Sequence, residues 1–233
     1  AHEISELLMA RAADGRGAVL GLAAGATPVP LYDELARRHR EEGLSFRQVA
    51  TFNLDEYAGL PADHPASFRR FMQRTLFDRI DLAPDAAHFP DGTAADQAAA
   101  AAAYERMIAA AGGIDLQVLG IGRTGHVGFN EPPAGPASRT RTVDLLEQTL
   151  RDNAASFGTA ADVPRQAITM GVGTILDCRR LVLLAWGAEK AEAVRRAVEE
   201  PPSDALPASW LRSHADCEFV LDEAAASRLA SRR

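Results

Sequence analysis

Short apolar runs alternate with longer segments of helical character along the whole chain. The apolar runs have the length and composition of buried strands, and they lie at residues 18–23, 49–54, 115–122, 166–170, 181–187 and 217–221. The segments between them have the periodicity or the composition of helices, and they lie at residues 28–42, 66–80, 94–111, 171–178, 188–199 and 222–231. The first residues, AHEISELLMARAADGRG, add an amphipathic helical pattern.

This alternation predicts an α/β fold. Strands separated by helices favour a largely parallel sheet, and near-continuous apolar strands indicate that helices cover both of its faces. No repeat or linker divides the sequence, so we expect one domain over residues 1–233 with a Rossmann-like, mostly parallel sheet. The alanine-rich stretch at 94–113 is predicted to be a packed helix, because alanine has the highest helix propensity.

The least regular segment covers residues 132–165 and is rich in Pro, Ala, Ser, Thr and Arg. Long irregular segments in a compact domain are often functional loops, although ordinary surface excursions also occur. We therefore take residues 132–165 as a candidate lid, with a plain surface excursion as the alternative.

Composition and charge exclude several classes of protein. The chain has 233 residues, 47% of them hydrophobic and 24% charged, and its formal net charge is −7. An acidic chain without basic clusters is not expected to bind nucleic acid or a membrane surface. No segment has the length of a membrane span, and the first residues lack the apolar core of a signal peptide. Cys178 and Cys217 match neither a metal nor a CxxC spacing, so we expect free thiols and a cytoplasmic location.

The first candidate motif is VLGLAAGATPVPLYDEL at residues 19–35. A strand runs into Gly25, Ala26 and Thr27, where Thr27 is a good helix N-cap and Pro28 would begin the helix. A glycine-bearing turn at a helix N-terminus presents free N–H groups and partial positive charge, which suits a phosphate. The spacing matches neither the dinucleotide nor the nucleoside-triphosphate pattern. Taken alone, a plain capped helix is the simpler interpretation.

The second motif is TFNLDEYAGL at residues 51–60. Asp55 and Glu56 follow an apolar strand, at the edge where ligands of open α/β sheets bind. An acid at a strand end also commonly caps a turn, so this motif alone leaves both interpretations open.

The third motif is LGIGRTGHVGFNEP at residues 119–132, which places His126 and Glu131 in a loop with four glycines. Glycine removes steric bulk around a ligand, and histidine titrates near neutrality, so it can exchange a proton with a sugar or alcohol oxygen. Glu131 could orient the ring or balance its charge. The density of the motif favours a functional histidine over a structural one.

Other catalytic patterns do not appear in the sequence. The six histidines show no HExxH or paired metal spacing, and no Gly-x-Ser-x-Gly motif marks a serine nucleophile. Positioned acid/base groups contribute roughly 10² to 10⁴ each to a rate. We therefore expect no metal and no organic cofactor.

The motifs GLAAGATP, FNLDEY and GIGRTGHVGFNEP, in this order, resemble the glucosamine-6-phosphate deaminase (isomerase) family. The similarity continues through AITMGVGTIL (167–176), GAEKA (187–191) and PASWLRSH (207–214), so it covers nearly the whole chain. The sister 6-phosphogluconolactonases share the fold but differ after the Gly-His pair. The resemblance implies a small-molecule sugar phosphate as the ligand, and it is compatible with a homo-oligomer.

The resemblance also implies a reaction and a set of site residues. The family opens an aminosugar phosphate, moves a proton from C2 to C1, and releases ammonia to leave fructose 6-phosphate. Asp55 falls at the position of the base that moves this proton, His126 at the ring-opening acid/base, and Glu131 at its acidic partner. The substrate-binding residues are then expected to be Gly25, Ala26, Thr27, Glu56, Thr124, Gly125 and Lys190.

The sequence departs from the family pattern at several positions, two of which concern the catalytic histidine and the phosphate site. Family members commonly carry Asp before the Gly-His pair, where this chain has Thr124, which can form a hydrogen bond but cannot balance an imidazolium charge. A phosphate-binding Arg expected in RDNAASF is replaced by Ala155, and Arg151 on the next turn is a candidate substitute.

Three functions are therefore open at this point. The favoured one is an aminosugar-phosphate deaminase/isomerase, with the galacto epimer as a variant substrate. The second is a 6-phosphogluconolactonase-type hydrolase on the same scaffold, against which Asp55 and the Phe-Asn-Glu sequence after His126 argue. The third is a non-catalytic sugar-phosphate-binding module, which Thr124 supports and the intact Asp55, His126 and Glu131 oppose.

Overall fold

The computed structural model describes residues 1–230 and has a six-stranded sheet at its centre. All the strand pairs of this sheet are parallel, and the spatial order is β4-β2-β1-β5-β8-β9. A smaller antiparallel sheet has the order β3-β7-β6. The strands are β1 (Ala18–Leu22), β2 (Val49–Asn53), β3 (Asp55–Tyr57), β4 (Ala87–His88), β5 (Leu116–Gly120), β6 (Arg141–Asp144), β7 (Gln166–Thr169), β8 (Leu181–Ala185) and β9 (Cys217–Leu221).

Helices connect most of the strands. They are α1 (His2–Ala13), α2 (Val29–Glu42), α3 (Phe68–Thr75), α4 (Gln97–Ala110), α5 (Glu147–Asn153), α6 (Val172–Leu176) and α7 (Ala191–Glu199). Short 3-10 helices add to these, among them Ala188–Lys190 before α7 and Pro207–Ser213 before β9. None of the helices within residues 1–230 is long and apolar enough to cross a membrane.

Helices cover both faces of the main sheet, as the apolar strands predict. In β8 the side chains alternate, so that Leu181 and Leu183 enter one core while Val182 and Leu184 enter the other. The first core includes residues of α4, α6 and α7, and the second includes residues of α1, α2 and α3. The prediction of a Rossmann-like α/β domain is confirmed.

All six predicted strands are present, but the one at 166–170 is not in the parallel sheet. It forms β7, the central strand of the small antiparallel sheet, where Thr169 pairs with Asp55 of β3 and with Arg141 of β6. The hydrophobic pattern does not predict β3, β4 or β6, because they span three, two and four residues and contain no apolar run.

The predicted helix at 222–231 is wrong over the residues that can be checked. Residues 223–228 form turns, and residue 231 lies outside the described residues. The Asp222 carboxylate accepts hydrogen bonds from the N–H groups of Gly187 and Ala225, which anchors the chain locally. Ala225 is fully buried while most of its neighbours are not, so no apolar face supports a helix.

The candidate lid at 132–165 carries secondary structure of its own. It contains β6 and α5, and Leu145, Leu150 and Val163 pack with Tyr57 and Phe129 in a third hydrophobic cluster beside the small sheet. These contacts give the segment a defined place next to the ends of β2 and β5. Its closure over a ligand stays a prediction.

Candidate active site

A cleft of about 250 Å³ opens at the carboxyl ends of β1, β2, β5 and β8. Because these strands are parallel, the loops that follow them meet at the same edge of the sheet, where ligands of α/β folds bind. The residues predicted from the sequence that line this cleft are Gly25, Thr27, Asp55, His126 and Lys190. The three motifs, far apart in the chain, therefore meet at one cavity.

The turn after β1 forms one wall of the cleft. Gly25 has a φ angle of 103°, which favours glycine because other residues are strained there. Helix α2 begins at Val29 with Pro28 at its N-cap, so the predicted capping by Thr27 is wrong and its hydroxyl is not used to cap the helix. Instead, the carbonyl oxygen of Thr27 accepts a hydrogen bond of 2.8 Å from the indole of Trp186. Thr27 is thereby held at the cleft with its hydroxyl available to a ligand.

Asp55 is the buried acid of the cleft. Asp55 is the first residue of β3, shortly after the end of β2, and only 6% of its surface is exposed. Burial raises the pKa of its carboxyl from 3.8 to about 8, and the negative charge of Glu56 adds to this shift. Gly128 makes room for the carboxylate, because a Cβ at position 128 would lie 3.2 Å from an Asp55 oxygen. A protonatable group thus points into the cavity against the histidine loop.

Glu56, the neighbouring acid, does not line the cleft. Successive residues of a strand point to opposite faces, and the Glu56 carboxylate turns to the start of α3. It accepts hydrogen bonds from the N–H groups of Tyr57 at 3.0 Å, Phe68 at 2.9 Å and Arg69 at 2.9 Å. Burial still raises the pKa of Glu56, although these N–H groups oppose the shift. The structure therefore gives Glu56 contacts that anchor a helix, rather than the substrate contacts expected from the sequence.

The imidazole of His126 contacts polar side chains of its own loop. Its Nδ1 lies 2.8 Å from Oγ1 of Thr124 and 3.3 Å from Oε2 of Glu131. Thr149 of α5 donates a hydrogen bond to the other oxygen of Glu131. The ring packs against Gly122, where any side chain would collide with it. The permissive backbone of the loop thus makes room for a histidine ring that contacts Thr124 and Glu131, and Thr149 in turn holds Glu131.

Glu131 remains charged at neutral pH in this setting. Burial disfavours its ionised form, but hydrogen bonds from His126, Thr149 and Thr124 outweigh burial and hold the pKa of Glu131 below its usual value. Asp55 and Glu131 are therefore two carboxyl groups whose pKa values are moved in opposite directions. Such a pair is characteristic of acid/base sites.

Lys190 forms the wall opposite Asp55's strand, at the end of the 3-10 helix that follows β8. It is half-buried, and burial lowers the pKa of its ammonium group below the usual value. The cleft therefore contains at least one partly desolvated cation near the turn at Gly25 and Thr27.

The remaining predicted substrate-binding residues lie near the cleft without lining it. Thr124 contacts the imidazole of His126, and Ala26 is exposed on the turn between Gly25 and Thr27. Gly125 has a φ angle of 80°, and its carbonyl oxygen accepts a hydrogen bond of 2.9 Å from the N–H of Ala208. The position of Gly125 thus shapes the loop.

Several lining residues were not identified from the sequence. Arg123 lies inside the His motif, and Asp152 and Asn153 come from α5 within the candidate lid. Arg151, the suggested substitute for the missing phosphate-binding arginine, is exposed and does not line the cleft. Arg123 could have been predicted as a lining residue, because it lies in the same glycine-rich motif as His126. No sequence motif marks the residues of α5.

Metal-ligating side chains and cysteines are the other candidate reactive groups of the protein. Within residues 1–230, no group of three or more His, Cys, Asp or Glu side chains is placed to hold a metal ion. Cys178 is buried and Cys217 half-buried, and both are free thiols.

Comparison with known proteins identifies close relatives. A family described as glucosamine-6-phosphate isomerases/6-phosphogluconolactonase matches residues 1–220. A glucosamine-6-phosphate deaminase from Arthrobacter sp. (strain FB24) is 52% identical over 229 residues, which cover 98% of this chain and 87% of that protein. Another, from Shewanella loihica, is 53% identical over 214 residues, which cover 92% of this chain and 80% of that protein.

Solved structures agree with the sequence comparison. A monomeric glucosamine-6-phosphate deaminase superposes with a TM-score of 0.93 at 43% identity, covering 97% of this chain and 92% of that one. The 6-phosphogluconolactonase of Trypanosoma brucei superposes with a TM-score of 0.76 at 24% identity, covering 98% of this chain and 92% of that one, and so shares the fold. The chain therefore belongs to the family of glucosamine-6-phosphate isomerases and 6-phosphogluconolactonases.

Proposed function

We propose that this protein is a glucosamine-6-phosphate deaminase, which converts glucosamine 6-phosphate and water to fructose 6-phosphate and ammonia. The observation that supports it most is that Asp55, with a pKa raised to about 8, and His126 line the same cleft. Asp55 would move a proton between carbon atoms of the sugar, and His126 would exchange protons with oxygen atoms of the same sugar. The relatives at 52% and 53% identity carry the same name.

The phosphate ester would bind between the turn at Gly25 and Thr27 and the ammonium group of Lys190. Backbone N–H groups of a glycine-bearing turn and a nearby cation both favour a phosphate. The sugar would then extend toward Asp55 and His126, which line the same cavity. Anchoring the ester fixes the distance of C1 and C2 from the two groups, which is how positioning accelerates a reaction.

Ring opening would be the task of His126. A proton leaves the C1 hydroxyl and a proton is added to the ring oxygen, so the acid/base group must both accept and donate. Glu131 lies 3.3 Å from Nδ1 of the ring and stabilises a positive charge on it. The lowered pKa of Glu131 keeps it ionised for this role at neutral pH.

Proton transfer between carbons would be the task of Asp55. Its carboxylate takes the proton from C2 of the open-chain aldehyde, the freed electron pair forms the C1–C2 double bond, and the C1=O π electrons move onto O1, which takes a proton. The proton held by Asp55 is then returned to C1 while the nitrogen lone pair forms a C2=N double bond. Water next adds its oxygen to C2, and ammonia leaves as the C2–N bond breaks and the C2=O bond forms. A carboxyl group of raised pKa suits this step, because its proton affinity is closer to that of the carbon acid. No metal or organic cofactor takes part in the proposed sequence.

The free thiols of Cys178 and Cys217 support the further proposal that the protein acts in the reducing cytoplasm.

A panel of three substrates tests the proposed function. Pure protein is incubated with glucosamine 6-phosphate, galactosamine 6-phosphate and 6-phosphogluconolactone, while ammonia and acid release are followed. Ammonia from an aminosugar phosphate supports the proposal, and the epimer used most rapidly identifies the preferred substrate. Acid release from the lactone without ammonia would instead support the hydrolase, and saturable binding without either product would support a binding module.

A further inference from the structure

Arg123 occupies the centre of the wall that would bind the phosphate ester. The main sheet has β5 between β1 and β8, so the loop after β5 lies between the turn at Gly25 and Thr27 and the segment that carries Lys190. The ends of β1 and β5 are in close contact, because a Cβ at Gly120 would lie 4.0 Å from Cβ of Thr27. Arg123 follows three residues later and lines the same cleft.

The guanidinium of Arg123 is available to a ligand. Its nearest acidic group is Asp152 of α5, at 4.0 Å from Nε, and within residues 1–230 it donates no hydrogen bond to another side chain or to the backbone. Two other arginines near the cleft are not placed to bind a ligand in it. Arg141 donates a hydrogen bond to the side chain of Asn130, and Arg151 is exposed and does not line the cavity. Arg123 therefore presents unpaired donors to the space beside Lys190.

The charges of Arg123 and Lys190 act at the same place. Burial lowers the pKa of Lys190, and Arg123 lowers it further, whereas Glu189 and Asp152 oppose this shift. Two cations that repel each other at the edge of a cleft gain when an anion of charge near −2 binds between them. The negative charges of Asp152 and Glu189 partly offset the positive charges of Arg123 and Lys190.

We infer that Arg123 is the second cation of the phosphate subsite and fills the role that Ala155 cannot fill. Its planar guanidinium would donate two hydrogen bonds to the ester, while Lys190 supplies a point charge from the adjacent loop. Asp152 competes with the ester for Arg123 and weakens binding. This inference rests on the proposed function for the identity of the ester, but the geometry applies to any sugar phosphate in this cleft.

Variants of the full chain test this assignment. Arg123→Ala should raise KM for glucosamine 6-phosphate about ten- to a hundred-fold while kcat changes little, because the ester is bound equally in ground and transition states. Arg123→Lys should recover part of the loss, since lysine keeps the charge but not the paired donors. Asp152→Asn should lower KM. Arg151→Ala is the matched control on the neighbouring surface and should leave both constants unchanged.

Direct binding separates this inference from the proposed function. Calorimetry on the Asp55→Asn background, with and without Arg123→Ala, compares glucosamine 6-phosphate with glucosamine, which has no phosphate. Arg123→Ala should weaken only the phosphate ester, and thermal melts should match because the Arg123 side chain is 57% exposed. A dissociation constant within about twofold of the Arg123 parent, or an equal loss in Arg151→Ala, would overturn the inference.

The two hypotheses can fail independently. If the wild-type protein releases no ammonia but binds the ester in an Arg123-dependent manner, the proposed function is wrong and the assignment of Arg123 holds. If it releases ammonia and Arg123→Ala leaves KM unchanged, the proposed function holds and the assignment of Arg123 is wrong. A rise of KM in Asp152→Asn would contradict the competing role of Asp152.

Discussion

At the scale of single residues, two neighbouring acids show how strongly direction within a strand determines role. Asp55 faces the cleft and has a raised pKa, whereas the Glu56 carboxylate accepts hydrogen bonds from the N–H of Tyr57 and from two N–H groups at the start of α3. The sequence predicted both as site residues at the same strand end, Asp55 as the proton-transfer base and Glu56 as a substrate-binding residue. Only the pairing of β3 with β7 decides which of the two points into the cavity.

The first residue-scale prediction concerns Asp55→Asn. The amide keeps the shape of the carboxyl but cannot accept the C2 proton, so ammonia release should fall by about 10³-fold or more. Binding of glucosamine 6-phosphate should change little, because the proposed phosphate subsite lies at the opposite wall. Ammonia release under single-turnover conditions and calorimetry measure the two effects. Turnover that survives the substitution would remove Asp55 from the proton-transfer step.

The second residue-scale prediction concerns Thr124, which lies 2.8 Å from Nδ1 of His126. Thr124→Asp would add a negative charge beside the imidazole and stabilise its protonated form, so ring opening should accelerate several-fold if it limits the rate. Thr124→Asn is the control, because it has similar size and no charge. A steady-state kcat that is unchanged or lower in Thr124→Asp would show that this contact does not limit turnover.

At the scale of elements, α5 connects the candidate lid to the catalytic group. It contributes Asp152 and Asn153 to the cleft, and its Thr149 holds Glu131. No hydrophobic pattern predicts a helix there, because the segment is short and polar and its apolar residues pack on the small sheet. Elements whose core is local and small are the ones that hydrophobic patterning misses.

The element-scale prediction concerns Thr149→Val, which keeps the shape of the side chain and removes its hydroxyl. The Glu131 carboxylate would lose a hydrogen bond that lowers its pKa, so that pKa should rise and the acidic limb of the kcat profile should move to higher pH. We expect kcat to fall about tenfold. Thr149→Ser should restore both values, which a purely packing role would not require. A profile unchanged in Thr149→Val would exclude Thr149 as a positioning residue.

The elements also show what the sequence could and could not predict. The strands β1, β2, β5, β8 and β9 were predicted because each lies in a mainly apolar run; the first four are almost fully buried, whereas β9 at the sheet edge is only partly buried. The antiparallel sheet was not, because β3 begins with two acids and β6 is only partly buried. Motifs located the ends of the strands correctly, but strand order and side-chain direction depend on contacts between distant segments.

At the scale of the whole molecule, the sheet order explains why three distant motifs form one site. The neighbours β2, β1, β5 and β8 deliver Asp55, the turn at Gly25, the His126 loop and Lys190 to one edge in this spatial order. In the proposed function the cleft would therefore run from a proton-transfer end at Asp55 to a phosphate end at Lys190. This arrangement buries the carboxyl group of Asp55, and the ionised form of a buried carboxyl destabilises the folded state.

That cost gives a prediction for the pH dependence of global stability. The pKa of Asp55 is raised to about 8 in the folded chain, whereas in the unfolded chain it returns to near 3.8. Between these two values the folded state holds more protons than the unfolded state, so this residue makes the free energy of unfolding fall as pH rises. Its contribution is fully favourable below about pH 4 and is lost by about pH 8.

Asp55→Asn removes this titration and should therefore stabilise the protein at pH 8 relative to the wild type, by roughly 1 to 5 kcal/mol. Near pH 4 the difference should be small, because the wild-type carboxyl is then neutral in the folded state and about half neutral in the unfolded state. Urea denaturation at pH 4, 6 and 8 measures the difference, with Asp152→Asn as a control for an exposed acid. A gap that stays constant across this range would mean that burial does not raise the pKa of Asp55, and the matched proton affinity behind its proposed proton-transfer role would lose its physical basis.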